Sequence, residues 1–546
     1  MYDYIIIGAG SAGCVLANRL SADPANRVLI LEAGGPDKHP LIHIPGAYGD
    51  LHATKNNWAF YTEPQANVLN RKIHLPRGKT LGGSSSTNAM AYVRGNRADY
   101  DEWAQAGNQG WSYEEILPYF KRSEHNEQFS EMDDGYHGKN GELNVADPLF
   151  TTPIGHAFVE AGQKIGLQKN RDYNGKEQKG IGHFQFNIKN GKRQSGAVAF
   201  LKPALKRKNL TGITHARVQK IIIENDKAVG IIYKKGKSDI TVRAKKEIIL
   251  SAGAFQSPQL LLLSGIGEKK ELKKHGIDCK KEIPGVGKNL QDHLFYPVSG
   301  FLKKQEGINH FLKPWEKLKG LGSYLFSNKG PFTSSPLEAF AFTHTENEER
   351  VNLQFHFAPL HIGREYNLNM YNLDDYLRED GFTLLPSLLL PKSRGYVGIK
   401  SADPNADPLI QPNFLSEEDD VKVLLKGGKM AMELIAQTNF STHVKEVYFP
   451  KNNSEDAILE VILNRLETIY HPVGTCKMGH DEMAVVDHEL RVKGIEGLRV
   501  IDASIMPTIV AGNTNAPVYM IAEKGADMIL GKTKAMVAKK EKSLTA

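Results

Sequence analysis

The stretch "DYIIIGAGSAGCVLANRLSADPANRVLILEAGG", residues 3–35, decides how the chain is read. Residues 4–7 are a short apolar run of the kind a fully buried parallel strand uses. Gly8, Gly10 and Gly13 follow in G-x-G-x-x-G spacing, with Ser11 between them. Val15, Leu16, Ala17 and Leu20 then fall at helical spacing, and residues 28–31 form a second apolar run that ends at Glu32 and Ala33. Strand, glycine turn, helix and acid-terminated strand make a dinucleotide fingerprint. Gly8 permits the tight turn, Gly10 lets a pyrophosphate approach the backbone, and Gly13 lets the helix lie close to the strand. The free N–H groups of the helix start face the phosphates. The Glu32 carboxylate is placed to accept from ribose hydroxyls. A glycine-rich turn without a ligand would leave Glu32 unexplained. The motif suits NAD and FAD equally, since both carry adenosine diphosphate.

Three later segments read as returns to the same site. Residues 75–95, "LPRGKTLGGSSSTNAMAYVRG", are rich in Gly, Ser and Thr and carry no acid. Such a loop, through Gly82, Gly83 and Asn88, offers N–H groups and polar side chains to a phosphate or a flat polar ring. Residues 246–267 run from an apolar strand through Ser251, Ala252 and Gly253 into an apolar helix. Residues 498–530 repeat that logic, with Asp502 and Ala503 at a strand end and a helix expected from about Val518. Ligands of open α/β sheets sit beyond the carboxyl ends of the strands, which puts Asp502 near the cofactor.

Bulk properties narrow the class. A chain of 546 residues is long for one core and suggests two or three domains, or one large domain with insertions. Hydrophobic content of 40% and charged content of 24% are ordinary for a globular protein. The net charge of +7 is spread thinly, and no run combines dense Lys/Arg with aromatics, so a nucleic-acid partner is not expected. Cys14, Cys279 and Cys476 give neither a disulfide framework nor a CxxC pair. No metal site is expected, and a reducing, cytoplasmic compartment fits. No signal peptide and no spanning segment is read. The basic tail "KTKAMVAKKEK", residues 532–542, is read as a solvated end, with weak peripheral attraction to an anionic membrane left open.

Taken together, these segments resemble the glucose–methanol–choline (GMC) family of flavin oxidoreductases. "GKTLGGSSSTNAMAYVRG" (78–95) is similar to that family's first signature and "GAFQSPQLLLLSGIG" (253–267) to its second. "NLQDH" (289–293) and "HPVGT" (471–475) also match. The bacterial alcohol and choline dehydrogenase branch is the most similar. The resemblance implies FAD rather than NAD. It implies an α/β fold: a Rossmann-like FAD-binding domain joined to a substrate domain on an antiparallel sheet. It also implies oxidation of a primary alcohol to an aldehyde by hydride transfer to the flavin. "ARVQKI" (216–221) resembles the strand whose backbone meets adenine, which points to Val218. In some relatives a histidine directly before the signature Asn holds FAD covalently. Here that position is Thr87, followed by Asn88, so noncovalent FAD is expected.

Alcohol oxidation needs a base for the hydroxyl proton, and histidine suits that task near neutral pH. His471 precedes Pro472, which biases its backbone to an extended form, and Gly474 is expected to let the chain pass close to a bulky ring. In the family, the histidine of this run works with a His or Asn just before the last long helix. In "GNTNAPVYM" (512–520) that position falls on Asn513, with Asn515 ranked second. An Asn cannot act as a base, so proton removal is assigned to His471 and substrate orientation to Asn513.

The FAD-binding part is expected at 1–146, 191–298 and 463–546, and the substrate part at 147–190 and 299–462. "NLQFHFAP", "GFTLLPSLL" and "GYVGIKS" read as strands of the substrate-side sheet. "YLREDGF" and "LSEEDDVK" read as solvated. Glu338 sits in an apolar run. An internal pair with a Lys or Arg is favoured over a contact with a cationic substrate. The substrate stays open among aliphatic, aromatic, choline-like and sugar alcohols, and the electron acceptor between a quinone and oxygen. The alternative is a non-redox relative, such as a hydroxynitrile lyase, using the same His as acid and base.

Overall fold

A computed structural model describes residues 1–129, 135–345, 350–366 and 371–532. Apart from Lys532, the basic tail lies outside them. The opening stretch folds as strand β1 (Tyr2–Ile7), helix α1 (Ser11–Leu20) and strand β2 (Val28–Leu31). Apolar residues dominate both strands because both faces are covered. Ile5, Ile6, Leu29 and Ile30 are buried to within 1%, and each such side chain contributes roughly 1.5–3 kcal/mol.

β1 pairs in parallel with β2 and with the strand Ser238–Leu250, whose end in turn pairs in parallel with Leu498–Val500. Leu210–Ile213 extends the other edge beside β2. The registers Ile7↔Leu31, Ile7↔Leu250 and Leu250↔Val500 align the carboxyl ends in one row. Gly8, Glu32, Ser251 and Ile501 therefore follow that row, with Asp502 one residue further on. The first half of Ser238–Leu250 leaves the core and pairs antiparallel with Lys227–Lys235, which pairs antiparallel with Arg217–Glu224. This outer ribbon brings Val218 back toward the same edge.

A second, antiparallel sheet runs Val444–Phe449, Val298–Leu302, Gly381–Leu388, Leu353–Ala358, Ala339–Thr343 and Gly180–His183. Leu294–Phe295 and Glu467–Thr468 are joined to it. Strand alternation sorts its faces. Phe355, Phe357, Phe382 and Leu384 pack into a core with Phe158 and Leu424 of the covering helices. His356, Ala358, Thr383 and Leu385 line the cavity on the other side.

Two expectations for secondary structure differ in detail. "GYVGIKS" does form a strand, Tyr396–Ile399, but it pairs only with Pro408–Gln411 as a separate ribbon. The last helix begins at Asn515, three residues before Val518, because Pro517 is well tolerated in a first turn. The two acidic runs are not wholly solvated. Asp380 is buried and accepts from Gly307 N at 2.9 Å and His310 N at 2.8 Å. Asp420 is buried and accepts from Lys392 N at 2.8 Å and Ser393 N at 3.0 Å. Each carboxylate closes a loop by taking its free N–H groups.

Gly13 shows how tightly the first turn is built. A Cβ there would lie 1.9 Å from the Gly8 carbonyl oxygen. Gly13→Ala is expected to lower stability by about 1–3 kcal/mol, read as a fall in thermal midpoint by calorimetry. Gly398→Ala is the control. Its added methyl meets Leu409 at an ordinary 3.8 Å, and the midpoint should barely move.

Candidate active site

A single cavity of about 440 Å³ runs from the carboxyl ends of the parallel strands to the inner face of the antiparallel sheet. Gly8, Gly10, Ser11, Glu32, Ala33, Gly83, Asn88, Val218, Asp502, Ala503, His471 and Asn513 all line it. Gly13 and Gly82 stand behind the wall, where they let backbones close up. Gly82 N donates to Ala9 O at 2.7 Å. At Gly83, in the left-handed region at φ +53°, a Cβ would fall 2.7 Å from Gly10 Cα. The first-signature loop thus seats directly on the dinucleotide turn.

The polar groups at this end fit a dinucleotide. Glu32 is buried and accepts from Ala9 N at 3.0 Å and Gly34 N at 2.8 Å, and burial pushes its carboxyl up to about 7. Asp502 is fully engaged within the chain. One oxygen accepts from Gly253 N (2.8 Å) and Ser257 Oγ (2.6 Å), the other from Ser504 N and Oγ. Its part at the cavity is to hold the start of the helix Gly253–Leu263 against the strand end. Asn88 Oδ1 accepts from Arg193 Nη1 at 2.8 Å, Asn88 Nδ2 donates to Asn515 Oδ1 at 3.4 Å, and Asn515 Nδ2 donates to Ser11 Oγ at 2.8 Å. This chain ties the first signature, the last helix and α1 together. It also separates the two candidate asparagines, because Asn515 faces Ser11 while Asn513 faces His471.

At the other end, His471 is held on three sides. Its backbone N donates to Asp292 Oδ1 at 2.8 Å, its Nδ1 lies 3.0 Å from His293 Nδ1, and its Nε2 lies 3.3 Å from Asn513 Nδ2. His293 is buried, and its Nε2 is 3.0 Å from the Leu389 carbonyl. A carbonyl only accepts, so His293 Nε2 carries the hydrogen. In the neutral ring His293 Nδ1 is then an acceptor, and His471 Nδ1 must donate to it. His471 Nε2 is left with its lone pair outward, met by the Asn513 amide. Burial first, then His293, His356 and Arg77, hold the His471 pKa well below its usual 6.5. Burial pushes His293 down to about 3.

The residue before the base is strained. Tyr470 has φ +65°, a conformation costing about 1–3 kcal/mol for a non-glycine residue. It turns the Tyr470 carbonyl to Arg77 Nη2 and brings its hydroxyl 2.5 Å from that of Tyr371. Gly474 has a different role from the one expected. Its φ is +90°, and a Cβ would meet Asn289 O at 2.4 Å. It admits the backbone of the "NLQDH" run, not a ring. Glu338 also departs from expectation. Among the described residues it pairs with no Lys or Arg. It accepts from Thr152 N (2.8 Å) and Oγ1 (2.9 Å), with His183 Nδ1 at 3.9 Å, and does not line the cavity.

Sequence reading gave no role to His293, Arg77 or His356, all at this end of the site. His293 lay inside a quoted motif. His356 was signalled only by being one of two polar residues, with Gln354, in a mostly apolar strand. Its side chain lies against that of Asn513, with which it interacts, and its Nε2 and Asn513 Oδ1 are buried.

A dinucleotide cradle joined to a buried histidine under an antiparallel sheet defines a flavin-type oxidoreductase. Residues 2–295 and 391–522 match the two regions described as GMC oxidoreductase. The chain is 46% identical over 543 residues to the "Alcohol dehydrogenase (acceptor)" of Pseudomonas putida, covering 97% of this chain and 96% of that one. It is 41% identical over 537 residues, with the same coverage, to an "Oxygen-dependent choline dehydrogenase" of Rhizobium etli. Among solved structures, pyridoxine 4-oxidase from Mesorbium loti superposes with a TM-score of 0.86 at 31% identity, over 96% of this chain and 98% of that one. A formate oxidase of Aspergillus oryzae gives 0.90 at 28%, over 98% and 99%. The chain belongs to the GMC oxidoreductase family. It is an FAD-dependent oxidoreductase acting on CH–OH groups, and the hydroxynitrile lyase alternative is not favoured.

A base at His471 works only as the neutral imidazole, so the rate of flavin reduction should fall only once pH drops through its lowered pKa, below 6.5. His293→Ala opens space for water beside His471, easing the burial that is the largest cause of its lowered pKa, so that pKa should rise. The acid limb of the pH profile should therefore move to higher pH. An unmoved limb with a uniformly lower rate would show a packing role only.

Proposed function

We propose that the protein oxidises an uncharged, apolar primary alcohol to its aldehyde, with His471 as base and Asn513 orienting the alcohol oxygen. The observation that carries this reading is the His293–His471–Asn513 chain, which makes His471 Nε2 the basic nitrogen and sets it against the Asn513 amide, both residues lining the cavity. The hydroxyl proton goes to His471 Nε2. The imidazolium that forms keeps donating from Nδ1 to His293. Asn513 and His356 supply the polar contacts around the alcohol oxygen. FAD, when bound, supplies the acceptor for the hydride that leaves the carbinol carbon.

Gly8, Gly10, Ser11 and Gly83 would hold the diphosphate, with Gly13 and Gly82 closing the cradle from behind. Glu32 and Ala33 would take the ribose, Val218 the adenine, and Asn88, Asp502 and Ala503 the flavin side. Residues 1–146, 191–298 and 463–546 are read as the FAD-binding part, and 147–190 with 299–462 as the substrate part. Thr87 lines the cavity in place of a histidine and cannot form a ring link, which supports noncovalent FAD. Acid precipitation should then leave the flavin in the supernatant.

The lining supports the choice of alcohol. Beyond His471 the wall is formed by Ile308, Leu312, Leu337, Leu360, Leu385 and Ile469, with Tyr48, Tyr371 and Tyr376. The carboxylates lining the cavity are Glu32 and Asp502, both at the strand-end side, and Arg77 adds positive charge. A quaternary ammonium would find aromatic faces but no carboxylate, and Glu338 is turned away to Thr152. The terminal electron acceptor is a quinone or oxygen.

Anaerobic mixing with a panel of alcohols tests this reading. Medium-chain or benzylic alcohols should bleach the oxidised flavin band far faster than choline or sugars. His471→Ala should keep FAD but lose roughly 10²–10⁴-fold in reduction rate. Reduction by choline alone would sink the apolar assignment. Unchanged reduction in the variant would sink the base.

A further inference from the structure

The helix Pro314–Ser327 carries the most exposed apolar surface of the described residues. Trp315 is 65% exposed, Leu318 59%, Leu325 64% and Phe326 90%. At helical spacing these four fall within an arc of about 100°. Gly320 and Tyr324 lie on the opposite side and are buried. A Cβ on Gly320 would touch Phe332 at 3.1 Å, whereas one on Gly322, in the middle of the apolar arc, would meet nothing within 4 Å. The inner face is packed and the outer face is bare.

Lysines stand at both ends of this face and along one edge. Lys313 and Lys329 flank the helix ends and Lys319 borders the arc, all exposed, while Lys317 is exposed on the side toward the protein body. Lys319 pairs with Glu316 at 3.1 Å and Lys317 reaches Asp50 at 3.9 Å, both at the surface, where such pairs hold weakly. An apolar arc with tryptophan at one end, bordered by lysines, is the pattern of a helix lying in a membrane interface. A second copy fits poorly, because a two-fold contact would set the bordering lysines against each other. The position adds to the argument. Ile308, Asn309 and Leu312 line the active-site cavity, and Leu312 stands two residues before the helix.

We propose that Pro314–Ser327 docks the protein on an anionic lipid bilayer. Trp315, Leu318, Leu325 and Phe326 enter the headgroup–acyl boundary and the lysines meet the lipid phosphates, setting the cavity rim against the membrane. This does not depend on the catalytic assignment. The FAD-loaded full chain should co-sediment with phosphatidylglycerol vesicles and much less with phosphatidylcholine vesicles. Trp315 emission should shift to the blue on binding, since Trp103 and Trp111 are buried and half-buried Trp58 lines the cavity; Trp315→Phe should remove the shift. Leu325→Asp with Phe326→Asp should weaken vesicle binding about tenfold or more, with flavin content and thermal midpoint retained. Three results would overturn the proposal: no sedimentation with phosphatidylglycerol, equal binding by wild type and double variant, or a concentration-dependent dimer that the double variant abolishes.

Discussion

The constraint on which the site depends is the contact of backbone on backbone around Gly8–Gly13. Three chain segments distant in sequence meet there with no room for a β-carbon. The Gly8 carbonyl fills the space beside Gly13, Ser251 O lies 2.5 Å from a Cβ on Gly8, and Gly10 Cα lies 2.7 Å from one on Gly83. Such approaches fix the relative positions of the first helix, the signature loop and the strand Ser238–Leu250 to within a fraction of an ångström. They also leave the N–H groups of the α1 start facing open cavity. The parallel registers do the rest, because they bring Glu32 and Asp502 to one edge without any direct contact between them.

The second half of the site rests on a different balance. Burying His293 and His471 would be costly if either were charged, and both pKa values are accordingly depressed. What keeps the pair ordered is the Leu389 carbonyl, a neutral acceptor at the end of the chain. A carboxylate in its place would stabilise the imidazolium and raise the pKa of the base. The nearest carboxylate, Asp292, is instead spent on the His471 backbone N–H and is itself pushed up to about 7 by burial. The arrangement fixes a tautomer while keeping His471 neutral.

The cofactor end was legible because its physics is local. A turn that needs glycine, a helix start and an acid at a strand end all fall within residues 3–35, so spacing alone carries them. The catalytic end was legible only in part. His471 and Asn513 stood in recognisable runs, yet the tautomer of His471 is set by His293, 178 residues away. His356 enters through a strand register that no local pattern reveals. Gly474 was read correctly as a close approach, but the partner could not be inferred, since a glycine records that something comes near without recording what. Glu338 shows the same limit. Its burial was foreseeable from the apolar run, whereas its partner, the start of the helix Pro153–Lys164, is a matter of tertiary packing.

Charge is distributed along the cavity in one direction. Acids stand at the dinucleotide end, neutral histidines and an amide surround His471, and beyond them the wall is mostly aliphatic and aromatic, with His52, Asn309 and Thr383 among it. A cavity so graded resists water at the reacting end, which strengthens each polar contact there. The same gradient continues past Leu312 onto the outer surface, where the apolar face of Pro314–Ser327 is exposed. An apolar alcohol concentrates in lipid rather than in water. On the proposed membrane-docked reading, a chamber whose aliphatic end adjoins that helix would draw an apolar substrate from the lipid phase, with the polar chemistry kept at the far, buried end.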